Sequence, residues 1–145
     1  MTLRSNPYLG PRTFEESDGE LFFGRDYEAA ELLSFVISEP LTLFYAQSGA
    51  GKSSLINARL VPGLRSENFR VLPIGRVGGS LPDGVADEDN IFIFNLLLSL
   101  DQGRTEPSIL ANMTLARFLH DLIEQETSEA QPVESERVSF VLIVD

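Results

Sequence analysis

Lys52 is the single lysine of this 145-residue chain; every other basic residue is arginine. It lies in Ala46-Gln47-Ser48-Gly49-Ala50-Gly51-Lys52-Ser53, a small residue followed by four more and then Gly-Lys-Ser. That is the spacing of a phosphate-binding loop. Gly49 and Gly51 carry no Cβ, so the backbone can wind tightly and approach phosphate oxygens. Successive N–H groups then form an anion nest, and a helix opening near Gly51 adds its positive end. In that role Gln47, Ser48 and Ala50 complete the cradle, Lys52 reaches the β- and γ-phosphates, the Ser53 hydroxyl ligates Mg²⁺ and Ser54 donates to the α-phosphate. The strict pattern begins with glycine, where this chain has Ala46. The competing interpretation is a Ser/Gly turn with a solvated lysine.

The loop needs a strand before it and a helix after it. Residues 41–46 (Leu-Thr-Leu-Phe-Tyr-Ala) are apolar, β-prone and bounded by Pro40, which predicts a buried strand. Leu55, Ile56, Ala58 and Leu60 predict a helix stopped by Pro62-Gly63. The assignment depends on residues 41–46 lying in a sheet and on the Lys52 amine facing the amide cradle. Residues 138–145 (Val-Ser-Phe-Val-Leu-Ile-Val-Asp) form an unbroken apolar run, which predicts a strand buried on both faces of a parallel sheet. Asp145 closes that run. Ligands of open α/β sheets bind beyond the carboxyl ends of the strands, where a Walker-B aspartate would hold the Mg²⁺ shell.

Composition removes several classes of function. There is no cysteine, which excludes disulfides and thiolate metal sites. The net charge of −11 argues against nucleic acid as a partner of this segment. Acid concentrates at 83–89 and 124–136, runs best explained as solvated loop and helix surface. No apolar run is long enough to span a membrane, and residues 3–9 lack the core of a signal peptide. The expected location is the cytoplasm.

The other elements are less directly chemical. Residues 1–20 read as irregular, with breaker pairs at Asn6-Pro7, Gly10-Pro11 and Asp18-Gly19. Asp26 is placed as an N-cap for a helix carrying Tyr27, Ala30, Leu33 and Ile37, supported by Leu32 and Val36 and ending before Pro40. Phe69-Arg70-Val71-Leu72-Pro73-Ile74 predicts a strand near a sheet edge. Residues 75–90 read as loop. Residues 91–100 suit either a buried strand or an all-round apolar helix; their length and the Asp89/Asn90 cap favour helix, with one side turned to other protein. Leu115, Phe118, Leu119, Leu122 and Ile123 form an amphipathic stripe behind Thr114. Residues 127–137 read as an acidic connector. His120 falls on the polar side of its helix and is assigned no role.

Asn6-Pro7-Tyr8-Leu9-Gly10-Pro11-Arg12-Thr13-Phe14-Glu15-Glu16, then Leu21-Phe22-Phe23-Gly24-Arg25-Asp26, then the loop itself, resemble the start of the novel STAND NTPase family, signal-transduction ATPases related to the AAA+ group. The resemblance is strong from residue 6 to about 75 and resumes at the terminal strand. It implies an α/β P-loop NTPase: a three-layer α/β/α sandwich with a mostly parallel sheet, present here as the N-terminal part of the core. Residues 1–25 would be an irregular segment bearing the nucleotide-edge motif, and 26–145 a partial core ending at the Walker-B strand. Phe23, Gly24 and Arg25 would lie along the adenine and the nucleotide edge; without the resemblance they read as an apolar plug and a capping surface arginine. Lys52 and Asp145 would be the catalytic pair, Ser53 and Asp145 the metal ligands, and ATP and Mg²⁺ the cofactors. The function implied is an ATP-binding switch core, hydrolytic and self-associating in the complete protein. The acid expected just after Asp145 is not in this sequence, so efficient catalysis is not expected of it. The alternative is a non-catalytic oligomerisation module with a structural or degenerate site, driven by the 91–100 face.

Overall fold

The computed structural model describes residue 10 and residues 12–80, 90–129 and 139–145, with 126–129 as backbone alone. The chain divides into two units, 1–70 and 71–145.

In the first unit, a 3₁₀ segment Glu16–Leu21 precedes helix α1 (Asp26–Ser38). A continuous helical run follows the glycine loop: α2 (Lys52–Leu55), a π-helical stretch Ile56–Leu60, and α3 (Val61–Ser66). The run passes through Pro62-Gly63, which the sequence placed as a stop. Proline is tolerated in the first turn of a helix, where its missing N–H has no helical partner to lose. The π turn supplies such a restart, and Pro62 sits at the opening of α3. The run ends instead at Asn68, whose φ of 63° is left-handed.

The unit's buried side chains are Phe22, Leu32, Leu55, Ile56, Ala58, Leu60, Val61 and Leu64. Leu55 and Leu64 are completely enclosed. Gly63 lets α1 approach α3, since a Cβ there would stand 3.0 Å from Leu33 Cδ2. Helix α1 buries Leu32 and half-buries Ala29, Leu33 and Val36, whereas Tyr27 and Ile37 are exposed. The inward stripe is therefore rotated from the expected one. Arg25 stands at the cap position, with Asp26 as the first helical residue.

Residues 41–47 join no sheet. The predicted strand is thus not formed. Exposure still alternates: Thr42 and Phe44 are half-buried, while Leu41, Leu43 and Tyr45 are 88%, 84% and 83% exposed. A period-2 pattern is the signature of an extended chain, but a strand exists only through a ladder with a neighbour. Among the described residues of this unit no such ladder reaches it. The Thr42 hydroxyl is buried without a hydrogen-bond partner, as an inward-facing residue of an unpaired segment would be.

The second unit takes its sheet from β1 (Phe69–Val71), at the division between units, and β2 (Ser139–Val141). The register is parallel: Leu72 N–H donates to Val141 O at 2.9 Å, Gly75 N–H to Ile143 O at 2.8 Å, and Asp145 N–H to Gly75 O at 2.8 Å. The terminal run is half-buried rather than covered on both faces, and Val144 is exposed. Phe140 and Leu142 pack against the core.

Helices α4 (Ile91–Asp101), α5 (Pro107–Leu110) and α6 (Leu115–Glu129) complete the unit. Asn90 caps α4, its Oδ1 accepting from Ile93 N–H at 3.1 Å, and Thr114 caps α6 through Arg117 N–H at 3.3 Å. Phe94, Leu96, Leu97 and Leu100 of α4 lie in one core with Leu72, Leu110, Phe118 and Leu122. The apolar face of α4 is therefore satisfied inside its own unit, leaving Phe92 as its large exposed side chain. Helix α6 runs three residues into the expected connector, and the acidic stretch at 83–89 falls outside the described residues. The chain is thus mixed helix and parallel strand, compatible with the α/β class.

Gly75 is the tightest point of this unit. A Cβ there would meet Leu96 Cδ1 at 2.3 Å, and Leu96 is itself buried. Overpacking at such a point costs about 1–3 kcal/mol. Gly75→Ala is expected to lower the urea midpoint accordingly; an unchanged midpoint would mean that the strand and α4 are not in contact.

Candidate functional site

The loop begins where the extended segment ends. Ala50 N–H donates to Gln47 O at 3.1 Å, which closes a turn. Gly49 and Gly51 then take φ of 78° and 77°, a region closed to most L-residues. Gly51 is the N-cap of α2, and its carbonyl accepts the first helical bond, from Leu55 N–H at 2.9 Å. The sequence placed glycine at 49 and 51 for this reason. Space around Gly49 is open, with no atom within 4 Å of where a Cβ would stand.

Lys52, the first residue of α2, folds back over the turn. Its Nζ donates to Ala46 O at 3.0 Å and to Gln47 O at 3.2 Å. The ammonium therefore sits across the mouth of the loop, held by the carbonyls that open it. Of the two conditions on which the sequence reading depends, the sheet around 41–46 is not met, and the amine lies on the Ala46 and Gln47 carbonyls.

The N-terminal motif lies against this loop and its helix. Phe14 N–H donates to Ser54 Oγ at 3.1 Å. Phe14 and Phe22 meet edge to face, with ring centroids 5.2 Å apart. Arg59, from the π stretch, donates to Phe22 O at 2.7 Å and pairs with Asp26 at 3.1 Å. Arg65 pairs with Glu16. Arg25 Nη1 donates to Ala50 O at 2.6 Å, and its Nε lies 3.7 Å from Glu28 Oε1. The sequence associated Phe23, Gly24 and Arg25 with one nucleotide edge. In the structure Phe23 is exposed, Gly24 turns the chain with φ of 81°, and Arg25 touches the loop backbone itself. Spacing could not reveal that contact, because the guanidinium and Ala50 are 25 positions apart in the chain.

The brace has its own anchor. Asp18 is buried, receives Glu15 N–H at 2.9 Å, and is gripped by both terminal nitrogens of Arg12 at 3.0 and 2.9 Å. The Glu15 amide, and then Arg12, hold the Asp18 carboxyl below the ordinary aspartate value of 3.8. The sequence treated Asp18-Gly19 as a breaker pair only; a short acid among turn residues gives no sign of a partner six positions away.

Asp145 belongs to the other unit, one residue past the Gly75–Val144 bridge at the carboxyl end of the β2 run. That is the strand end where the sequence placed it. His120 is exposed and pairs with Glu124 at 3.3 Å. A separate cavity of about 230 Å³ lies wholly in the second unit, lined by Asp101, Arg104, Thr105, Met113, Phe118, Asp121, Leu122 and Gln125. Two of its acids are already paired: both Asp101 oxygens accept from Thr105 at 2.7 Å, and Asp121 accepts from Arg117 at 3.0 Å. Among the described residues no helix is long and apolar enough to cross a membrane.

A family model described as Novel STAND NTPase 1 matches residues 7–145. No curated protein and no solved structure matches the chain.

The lowered Asp18 carboxyl sets a pH dependence. Because its folded value lies below its unfolded one, the stabilisation is complete above pH about 3.8 and fades as pH falls through the folded value. Asp18→Asn is expected to lower the urea midpoint at pH 7, and the gap to the parent is expected to close on acidification below pH about 3.8. A gap that persisted unchanged at pH 2.5 would show that the charge contributes nothing.

Proposed function

The chain belongs to the Novel STAND NTPase 1 family, and from that premise we propose that its first unit binds the phosphate tail of ATP as the switch core of a signalling or defence ATPase. What supports this most is the position of the Lys52 amine, 3.0 and 3.2 Å from the two carbonyls that open a turn with left-handed glycines at 49 and 51. A lysine that only kept the chain soluble would extend into water. Here it is folded over the turn, where a chain of oxyanions could replace the carbonyls with stronger, charge-assisted partners.

In this proposal the amides of 47–52 and the opening of the 52–66 helical run hold the phosphates, and Ser54 serves the α-phosphate. Ser53 and Asp145 share Mg²⁺, a metal usually held by one or two protein ligands together with substrate phosphates. Mg²⁺ would neutralise charge on the β- and γ-oxygens. Phe23, Gly24 and Arg25 flank the nucleotide. Residues 26–145 would belong to a P-loop α/β/α core, with the place of action the cytoplasm. The alternative, an interaction module whose nucleotide site is structural, loses the driving surface first imagined for it, since the apolar face of α4 is buried in its own unit.

Saturating Mg-ATP, at about a hundredfold above Kd, is expected to stabilise the protein by roughly 2.7 kcal/mol. Lys52→Ala is expected to abolish the shift in melting temperature on adding Mg-ATP, measured against the unliganded variant's own. The absence of a shift in the parent protein would refute the proposal. Light scattering with and without nucleotide separates the two readings, because the interaction module predicts particle sizes indifferent to ATP and to Lys52→Ala.

A further inference from the structure

We propose that Arg25 is a positioning residue that aims the Gly51 amide into the phosphate cradle by holding the opposite end of the same peptide group. This rests on the nucleotide-binding reading above. A trans peptide is planar, with C=O and N–H pointing in opposite directions. The Ala50–Gly51 peptide presents its oxygen to Arg25 Nη1 at 2.6 Å. Its N–H therefore points away from the guanidinium.

Nothing local would otherwise fix that orientation. Gly51 has φ of 77° and no Cβ, so the peptide on its N-terminal side can rotate at little steric cost. A flipped peptide would present a carbonyl oxygen where a donor is required, and a carbonyl repels a phosphate. The grip is well placed to prevent this. Arg25 is the cap residue of α1, and its Nε is steadied by Glu28 one turn on, at 3.7 Å. Alanine at 51 would be strained at that φ and would bring its Cβ to 3.5 Å from Arg25 Nη1. The loop thus has two cations on its carbonyl side: Lys52, which a phosphate tail would draw away, and Arg25, which stays with the backbone.

Lysine is no substitute, since a single ammonium on a flexible stem cannot hold Ala50 O and face Glu28 with separate rigid donors. The test compares the parent, Arg25→Lys and Arg25→Met by titration calorimetry with Mg-ATP and with inorganic tripolyphosphate, and by amide exchange of Gly51 in the nucleotide-free protein. A hydrogen bond to a charged group is worth enough that both substitutions are expected to weaken both ligands by about ten- to a hundredfold. Gly51 exchange is expected to rise before any ligand is added. Loss of ATP affinity with tripolyphosphate affinity retained would overturn the inference, because it would place Arg25 on the base or ribose. Equal loss of both ligands with unchanged Gly51 exchange would also overturn it, because Arg25 would then touch phosphate directly. A parent protein that binds neither ligand would instead remove the nucleotide reading, while the exchange comparison would still report on Arg25.

Discussion

Backbone carbonyls, rather than side-chain packing, hold the 46–53 turn in shape. Lys52 secures Ala46 and Gln47 from within the turn, and Arg25 secures Ala50 from outside it. Each carbonyl drawn toward a cation leaves the N–H of its own peptide facing the other way. A loop required to offer donors to an anion needs its acceptors restrained, and here they are restrained by the two kinds of side chain that can only donate. The rest of the first unit serves this arrangement. The helical run from Lys52 is clamped by Arg59 and Arg65 to the Phe22 and Glu16 region, and Ser54 receives Phe14.

This gives the N-terminal motif a physical role beyond resemblance. Asp18 gathers Arg12 and Glu15, the Phe14 and Phe22 rings meet, and the chain reaches Arg25 already committed in direction. The motif acts as a brace whose last residue touches the loop. The π stretch in the middle of the helix fits the same account. It rotates Arg59 toward Phe22 and Asp26 and allows Pro62 to open a new helical segment. Local departures of this kind often accompany functional sites.

The second unit is organised differently. Its core is a conventional one, in which α4 supplies four buried apolar side chains and a glycine at 75 lets the strand approach Leu96. Two of the acids lining its cavity, Asp101 and Asp121, already hold partners within the unit. Its terminal run reaches Asp145 through a parallel register with the 69–75 segment.

Much of this was legible in the residues. The positive φ at Gly49 and Gly51, the helix opening at Lys52, the Asn90 and Thr114 caps and the α6 stripe follow from local rules, because each depends on neighbours a few positions apart. The inward stripe of α1, the passage of a helix through Pro62 and the grip of Arg25 on Ala50 were not legible, because each depends on a partner brought near by folding. Residues 41–46 show the boundary most clearly. Their composition determines an extended, alternating chain, and the structure has one; whether such a chain becomes a strand is decided by a neighbour, since a ladder's hydrogen bonds belong to two segments and no single segment encodes them.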